Sequence, residues 1–243
     1  AINKMIIDKL SEENLDKQQS RKIIKKAGDI LKKGGLVAFP TETVYGLGAD
    51  ALNPEAAKKI YSAKGRPSDN PLIVHIADFA DIKKIVEEVP DSARILADKF
   101  WPGPLTMILK KSAAVPDTTS GGLNTVAIRM PSNKIALELI KASGGYIAAP
   151  SANTSGKPSP TMAEHVASDL DGRIDMLIDG GEVGIGLEST IVDLTVDRPV
   201  ILRPGAITQQ MLSDVIGEVL IDEALIKADS TVRPKAPGMK YKH

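Results

Sequence analysis

The sequence of 243 residues contains no cysteine, which removes several kinds of site at once. Disulfide bonds, thiolate nucleophiles and cysteine-ligated zinc are excluded, and this composition fits a reducing compartment. The three histidines, His75, His165 and His243, are far apart along the chain and do not show metal-ligand spacing. We therefore predict no metal site built from protein ligands.

A charge excess and long apolar segments are also missing. The 31 Lys and Arg residues balance 31 Asp and Glu residues, so no net charge draws the whole molecule to nucleic acid or to a membrane. No apolar run approaches the roughly 20 residues that cross a bilayer, and the N-terminus lacks a signal-peptide pattern. We expect a soluble, cytoplasmic protein without membrane association.

Two common nucleotide-binding signatures are absent as well. SGKPSP at 155–160 resembles part of a P-loop, but a proline follows Lys157 where Ser or Thr is required. GIGLES at 184–189 ends in serine, so it does not complete a Rossmann glycine pattern. Any nucleotide site must therefore be built from other residues.

Hydrophobic periodicity predicts a chain in which helices and strands are mixed. We expect helices near residues 20–33, 54–62, 78–88, 91–101, 133–142, 161–169 and 208–216. Strands are expected at 36–40, 72–76, 105–110, 125–130, 146–150, 175–179, 189–195 and 200–204. This pattern predicts an α/β fold with a mixed twisted sheet and helices packed on it. From Ala228 onward the chain is polar and contains proline, as in a linker or lid.

The segment KGRP places two cations around a glycine at the predicted end of a helix. Cations interact favourably with the exposed carbonyls of a helix end, which would account for one of them. Gly65 would also let the backbone approach a ligand, and Lys64 and Arg66 would then address different oxygens of one polyphosphate. Local chemistry leaves helix termination and an anion site both open.

Several polar side chains follow predicted strands. Ser151 and Asn153 come directly after YIAAP, where a turn-rich surface loop is the simpler interpretation and a ligand crevice the alternative. Arg129 lies within an apolar strand and needs either a protein carboxylate or a ligand anion as its partner. His75, taken alone, is typical of a hydrogen-bonded histidine in the core.

Seven segments together resemble the YrdC-like threonylcarbamoyl-AMP synthases. In order, they are PTETVYGLG, SAKGRPSDNPLIVH, FWPGPLTMIL, VAIRMP, PSANTSGKPSPT, ESTIVDL and ILRPGAI, and the resemblance covers about residues 6–220. It implies a YrdC-like catalytic domain at 1–220. Residues 221–243 would be the C-terminal linker or lid that leads, in longer members, to a second, smaller domain absent from this sequence.

The resemblance also implies an activity: condensation of L-threonine, bicarbonate and ATP to threonylcarbamoyl-adenylate and pyrophosphate, for tRNA modification. The catalytic residues would be Lys64, Arg66, Ser151 and Asn153. ATP, carrying Mg²⁺, would bind at Arg66, Asn70, Thr125, Ser151, Ser159 and Arg203. Threonine would bind at Thr43, His75, Arg129, Ala149 and Ser189. Downstream tRNA-modifying proteins would be partners.

Two other functions remain open from the sequence. One is a structured-RNA-binding module that uses the Lys and Arg residues of the first helix and of KGRP, with weak affinity because aromatics make up only 3% of the chain. The other is a domain that forms carbamoyl-adenylate from another donor and needs no threonine pocket.

Overall fold

The computed structural model describes residues 4–184 and 186–227. The predicted lid segment 228–243 lies outside the described residues. The strands are β1 (Ile6–Lys9), β2 (Val37–Pro40), β3 (Tyr45–Asp50), β4 (Ile73–His75), β5 (Leu105–Lys110), β6 (Thr125–Arg129), β7 (Ile147–Ala148), β8 (Met176–Asp179), β9 (Thr190–Asp193), β10 (Val200–Arg203) and β11 (Leu220–Ile221). The helices are α1 (Gln18–Lys32), α2 (Pro54–Lys64), α3 (Ile82–Ile85), α4 (Asp91–Phe100), α5 (Asp117–Ser120), α6 (Lys134–Ala142), α7 (Ala163–Leu170), α8 (Gln209–Ile216) and α9 (Glu223–Lys227).

The strands form one sheet in the order β1-β8-β2-β3-β7-β4-β6-β5-β9-β10-β11. The sheet contains both parallel pairs, such as β4 with β6, and antiparallel pairs, such as β5 with β6. Strand β1 lies at one edge and pairs with β8, so that Ile6 faces Met176. The predicted mixed α/β sheet is therefore confirmed.

Alternating side chains build a hydrophobic core on each face of the sheet. In β2, Val37 and Phe39 pack on one face and Ala38 on the other, as the two-residue period of a strand requires. Helices α1 and α6 pack together over the first face, while α2, α4, α7 and α8 contribute apolar residues to the core on the second. No helix in the described residues is both long and apolar enough to cross a membrane.

Strand β3 was not predicted, because Gly46 and Gly48 resemble turn residues. In the structure these glycines serve close packing between neighbouring strands. A Cβ at Gly48 would lie 2.8 Å from the Ile147 side chain and 2.9 Å from that of Phe39. The short elements β1, β11 and α5 were also not predicted, and β11 and α9 occupy the described start of the segment that was interpreted as a linker.

Candidate active site

A recess forms where the ends of several strands and their following loops meet. It has a volume of about 360 Å³, part of it open to solvent. Seven of the predicted site residues line it: Thr43, His75, Ala149, Arg129, Ser151, Ser189 and Arg203. Residues distant in sequence are therefore brought together, as expected for a ligand site at the carboxyl ends of strands.

Parallel pairing places two of these residues side by side. Strands β4 and β6 run in the same direction, with His75 opposite Arg129 in register. Each residue is the last of its strand, so the two side chains lie together at the carboxyl ends of β4 and β6. Thr43 reaches the same place from the loop that joins β2 to β3.

The partner of Arg129 is a protein carboxylate, which answers the question that the sequence left open. Arg129 is only 4% exposed, and its guanidinium forms an ion pair with Glu42 and donates to Thr43 Oγ1 (3.2 Å) and to the Gly103 carbonyl (3.3 Å). Glu42 also accepts hydrogen bonds from the backbone N–H (2.8 Å) and hydroxyl (2.7 Å) of Ser132. Burial opposes ionisation of Glu42, but the Arg129 charge and the Ser132 bonds outweigh it and lower the pKa of the Glu42 carboxyl.

His75 is both a buried core histidine and part of the recess lining. Its Nδ1 lies 3.1 Å from the Ile73 carbonyl, and its ring meets that of Phe39 edge-on, with centroids 6.3 Å apart. Burial, assisted by the Arg129 charge, lowers the pKa of His75 to about 3. The imidazole is therefore neutral near pH 7, and a proton on Nδ1 leaves Nε2 as an acceptor.

The geometry of KGRP follows from how α2 begins and ends. Asn53 caps the helix through the backbone N–H groups of Glu55 and Ala56, and Pro54 takes the first helical position. Gly65 ends it in the left-handed conformation, with φ of 63°. Lys64 is thus the last helical residue and points inward, only 2% exposed. Its ammonium group donates to the Ser151 carbonyl.

Burial strongly affects the charge of Lys64. Desolvation, followed by the neighbouring Arg66 charge, lowers the pKa of the Lys64 ammonium group to about 7. Arg66 is also buried and donates to the carbonyls of Asn70 (3.4 Å) and Pro71 (2.9 Å), so it organises the loop that follows the helix. Two adjacent buried cations favour the anion-site interpretation over helix termination alone.

Several buried polar side-chain atoms have no hydrogen-bond partner in the part of the chain that the structure describes. They include Asn70 Oδ1, Ser151 Oγ, Asn153 Oδ1 and Ser159 Oγ, all on predicted site residues, and also Thr118 Oγ1. Buried polar groups are almost always hydrogen-bonded, so atoms of this kind are satisfied by a ligand or by water. Their clustering on the predicted phosphate-binding residues supports a polar ligand there.

The loop after β7 is more ordered than a turn-rich surface segment. Ser151 is 5% exposed and Asn153 only 1%, so that simpler interpretation of the sequence was wrong for these two residues. The Asn153 amide nitrogen donates to the carbonyls of Thr154 (2.9 Å) and Lys157 (3.0 Å). Asp169, from α7, accepts the backbone N–H of Thr154 at 2.8 Å and fixes the loop from outside.

Ser189 and Arg203, which both line the recess, are connected by hydrogen bonds. Arg203 donates through Nε to the Ser189 carbonyl (3.0 Å) and through its terminal nitrogen to Ser189 Oγ (3.1 Å). Ser189 Oγ also lies 2.7 Å from Thr106 Oγ1 on β5. Arg203 makes an ion pair with Glu188 at 3.4 Å. The predicted threonine residue Ser189 and the predicted nucleotide residue Arg203 are thus in direct contact.

The remaining predicted residues lie outside the recess lining. Lys64 reaches it through Ser151, while Arg66, Asn70, Asn153 and Ser159 lie on the loops that follow α2 and β7. Thr125 starts β6, four residues before Arg129, which corresponds to roughly 13 Å of strand. Its predicted contact with ATP stays a prediction.

Two acidic residues of the site were missed. Glu42 and Glu188 lie within the segments PTETVYGLG and ESTIVDL, in which their hydroxyl neighbours Thr43 and Ser189 were the predicted site residues. The sequence did contain a signal for the two acidic residues. A buried arginine such as Arg129 requires an anionic partner, and a carboxylate next to the end of a strand is a candidate for that partner. Sequence spacing could not pair Glu42 with Arg129, since 87 positions separate them.

Comparison with known proteins identifies the family of the chain. The family model for Sua5, YciO and YrdC, described as telomere recombination, matches residues 29–205. The chain belongs to the Sua5/YciO/YrdC family. The resemblance inferred from the sequence motifs is therefore confirmed.

Relatives within the Sua5/YciO/YrdC family carry more specific names. The chain is 56% identical over 220 residues to the threonylcarbamoyl-AMP synthase of Pyrococcus abyssi, covering 90% of this chain and 64% of that protein. It is 56% identical over 221 residues to the threonylcarbamoyl-AMP synthase of Bacillus subtilis, covering 90% and 63%. The chain thus spans somewhat less than two thirds of the length of these two relatives.

A solved structure of the family matches nearly the whole chain. The crystal structure of P. abyssi Sua5 complexed with L-threonine superposes with a TM-score of 0.89 at 52% sequence identity. The match covers 98% of this chain and 68% of the Sua5 chain. The YrdC-like form of the mixed sheet is therefore confirmed.

Proposed function

We propose that the protein condenses L-threonine, bicarbonate and ATP to threonylcarbamoyl-AMP and pyrophosphate. The observation that carries this proposal is a single recess in which Arg129, His75 and Thr43 lie beside Ser151 and Arg203, with the Lys64 ammonium group bonded to the backbone of Ser151. An amino-acid site and a phosphate site would thus share one wall. The names of the two bacterial and archaeal relatives support the same reaction.

The first step joins the amine to bicarbonate. The threonine ammonium group first loses a proton to water. The amine nitrogen then forms a bond to the bicarbonate carbon, and the hydroxyl leaves as water with a second proton from the nitrogen, which yields a carbamate. Arg129 would hold the threonine carboxylate, because Glu42, Thr43 and Gly103 fix the orientation of its guanidinium beforehand. Neutral His75 would accept the threonine hydroxyl proton in a hydrogen bond, with Thr43 and Ser189 completing the pocket and Ala149 forming its wall.

The second step transfers the adenylyl group. A carbamate oxygen attacks the α-phosphorus, and the bond to the bridging oxygen breaks as pyrophosphate leaves. Positioning and charge neutralisation dominate catalysis of such a step. Lys64, Arg66 and Asn70 would meet the phosphates or the bicarbonate, Ser151 and Asn153 the α-phosphate and carbamate, and Ser159, Thr125 and Arg203 the nucleotide.

Magnesium would enter with ATP as part of the substrate. No group of three or more His, Cys, Asp or Glu residues that could hold a metal occurs among residues 4–184 and 186–227. Mg²⁺ coordinated mainly by phosphate oxygens and water needs no such cage. The unstable product would pass to downstream tRNA-modifying proteins, which implies a cytoplasmic location.

Pyrophosphate release tests the proposal directly. We expect release from ATP to require both bicarbonate and L-threonine, and the product to be an acyl-adenylate that hydrolyses to AMP. L-Serine, which lacks one methyl group, should be less effective by about 1 to 3 kcal/mol. Arg129→Gln should abolish threonine-dependent pyrophosphate release, while ATP still binds. The matched control is Arg198→Gln, since the Arg198 side chain is 70% exposed.

Other outcomes would indicate the alternative functions. Turnover with carbamoyl phosphate and no amino acid would identify a carbamoyl-adenylate-forming domain. Absence of turnover and of threonine binding, together with RNA binding that weakens steeply as salt rises, would identify an RNA-binding module. Either result would overturn the synthase proposal.

A further inference from the structure

Glu188 is an unexpected residue in this recess. The other charged groups there, Arg129 and Arg203, are cations, as is Lys64 beside them, and the proposed ligands are mostly anions. Within the described part of the chain Glu188 is the one carboxylate that lines the recess. A carboxylate would repel phosphate and bicarbonate and would attract a cationic group of a ligand.

The negative charge of Glu188 interacts with three basic residues of the site. Its side chain is 18% exposed and pairs with Arg203 at 3.4 Å. Its negative charge also acts on Lys64 and on Arg129. Arg203 is held independently of this pair, because it donates to both the carbonyl and the hydroxyl of Ser189.

Glu42 is less suited to receive a ligand. One of its carboxylate oxygens pairs with Arg129, and the other accepts both hydrogen bonds from Ser132. Those contacts hold Glu42 in the wall behind Arg129. Glu188 lines the recess itself, as does Arg129, whose guanidinium would take a carboxylate.

An α-amino acid at neutral pH carries an ammonium group and a carboxylate on one carbon. A site that selects it needs a cation and an anion facing the same small space. We propose that Glu188 binds the α-ammonium group of L-threonine and thereby selects α-amino acids over acids that lack an amine. This inference rests on the proposed function and adds a specificity residue to it.

Calorimetric binding without ATP or bicarbonate tests the inference separately from turnover. The two ligands are L-threonine and (R)-3-hydroxybutyrate, which keeps the carboxylate and hydroxyl but lacks the amine. Glu188→Gln should weaken L-threonine binding about tenfold or more, as loss of a charge-assisted contact does, and leave hydroxybutyrate binding unchanged. Glu188→Asp, which keeps the charge on a shorter side chain, should lose less, and the exposed Glu88→Gln should lose nothing.

The outcomes separate the two proposals. If wild-type protein binds L-threonine and Glu188→Gln binds it equally well, the inference fails and the proposed function stands. Equal weakening of both ligands would also overturn the inference, as would a loss of ATP affinity alone, which would make Glu188 only a partner of Arg203. If wild-type protein does not bind L-threonine, the proposed function fails together with the inference. Thermal unfolding of each variant verifies that it is folded. If Glu188→Gln does not fold, the binding affinities of Glu188→Asp decide between the outcomes.

Discussion

Two groups of predicted site residues differ in how well the protein satisfies their polar groups. On the amino-acid side (Thr43, His75 and Arg129), each side chain has a partner within the protein. On the phosphate side (Asn70, Ser151, Asn153 and Ser159), each side chain has a buried oxygen without a partner in the described residues. The amino-acid side lines the recess, whereas only Ser151 of the phosphate side does so. The first group has its hydrogen-bond partners within the protein, whereas the second leaves buried oxygens available to a ligand or to water.

This difference separates stability from function. A buried ion pair that loses one member leaves an uncompensated charge, so substitutions on the amino-acid side should destabilise the fold. A buried hydroxyl without a partner already carries a desolvation penalty, so its removal should cost binding and catalysis instead. Substitutions at Glu42, Arg66, Ser151 and Lys64 test this contrast.

Removal of Glu42 should have the largest effect. Glu42→Ala leaves the Arg129 guanidinium buried without its carboxylate and frees both Ser132 donors. We expect the free energy of unfolding to fall by about 3 to 5 kcal/mol, measured by urea denaturation near pH 7. Glu88→Ala, at an exposed position, is the control. A loss no greater than that of the control would mean that the amino-acid side is not held by this pair.

Arg66→Ala should act mainly on catalysis. If Arg66 neutralises charge that develops on the phosphates, its loss should raise the transition-state free energy by about 2 to 4 kcal/mol. The measurement is kcat/KM for pyrophosphate release, with Arg94→Ala, at an exposed position on α4, as the control. Unchanged kcat/KM in a folded variant would remove Arg66 from the phosphate side.

Two buried serines give a matched comparison. Ser143 Oγ donates to the Ile140 carbonyl at 2.9 Å, whereas Ser151 Oγ has no partner in the described residues. Ser143→Ala should therefore lower the free energy of unfolding by about 1 kcal/mol without affecting pyrophosphate release, whereas Ser151→Ala should leave stability unchanged and reduce release. The opposite pattern in paired urea and activity measurements would reverse the assignment of the two hydroxyls.

The last test concerns the pH dependence of stability. Because burial lowers the pKa of Lys64 to about 7, the unfolded chain binds more protons than the folded one between about pH 7 and the ordinary lysine value of 10.5. The free energy of unfolding should therefore rise with pH across that window because of Lys64. Below about pH 7, the full cost of burying the charged ammonium group should apply. Unfolding free energies of wild type and Lys64→Met at pH 7 and pH 9 should show a steeper rise for wild type. Parallel curves would mean that Lys64 keeps an ordinary pKa.

Elements with local signals were predictable from the sequence, and elements defined by distant partners were not. Helix α2 was expected because Asn53 and Pro54 mark its start, although it extends two residues beyond the predicted Ser62. Strand β3 was missed because its glycines serve contacts with Phe39 and Ile147, which only the folded sheet brings close. A sequence pattern indicates the local preference for a helix, strand or turn. Packing against distant residues decides whether a glycine-rich segment such as β3 forms a strand.

The site shows the same division. Residue types and motif order identified the cations and hydroxyls, and seven predicted residues share the recess. The sequence showed that Arg129 needs an anion but could not choose between a ligand and Glu42, because that choice depends on three-dimensional proximity. The carboxylate of Glu188 was overlooked for the same reason.

The position of β1 in the sheet affects how the protein folds while it is being synthesised. Its neighbour in the sheet, β8, contains residues 176–179, so the first strand leaves the ribosome long before its partner is synthesised. Until then an extended segment with Ile7 remains without its native neighbour, and such edges are prone to pair with other chains. Synthesis rate and chaperone access over residues 10–176 should therefore influence how much folded protein a cell obtains.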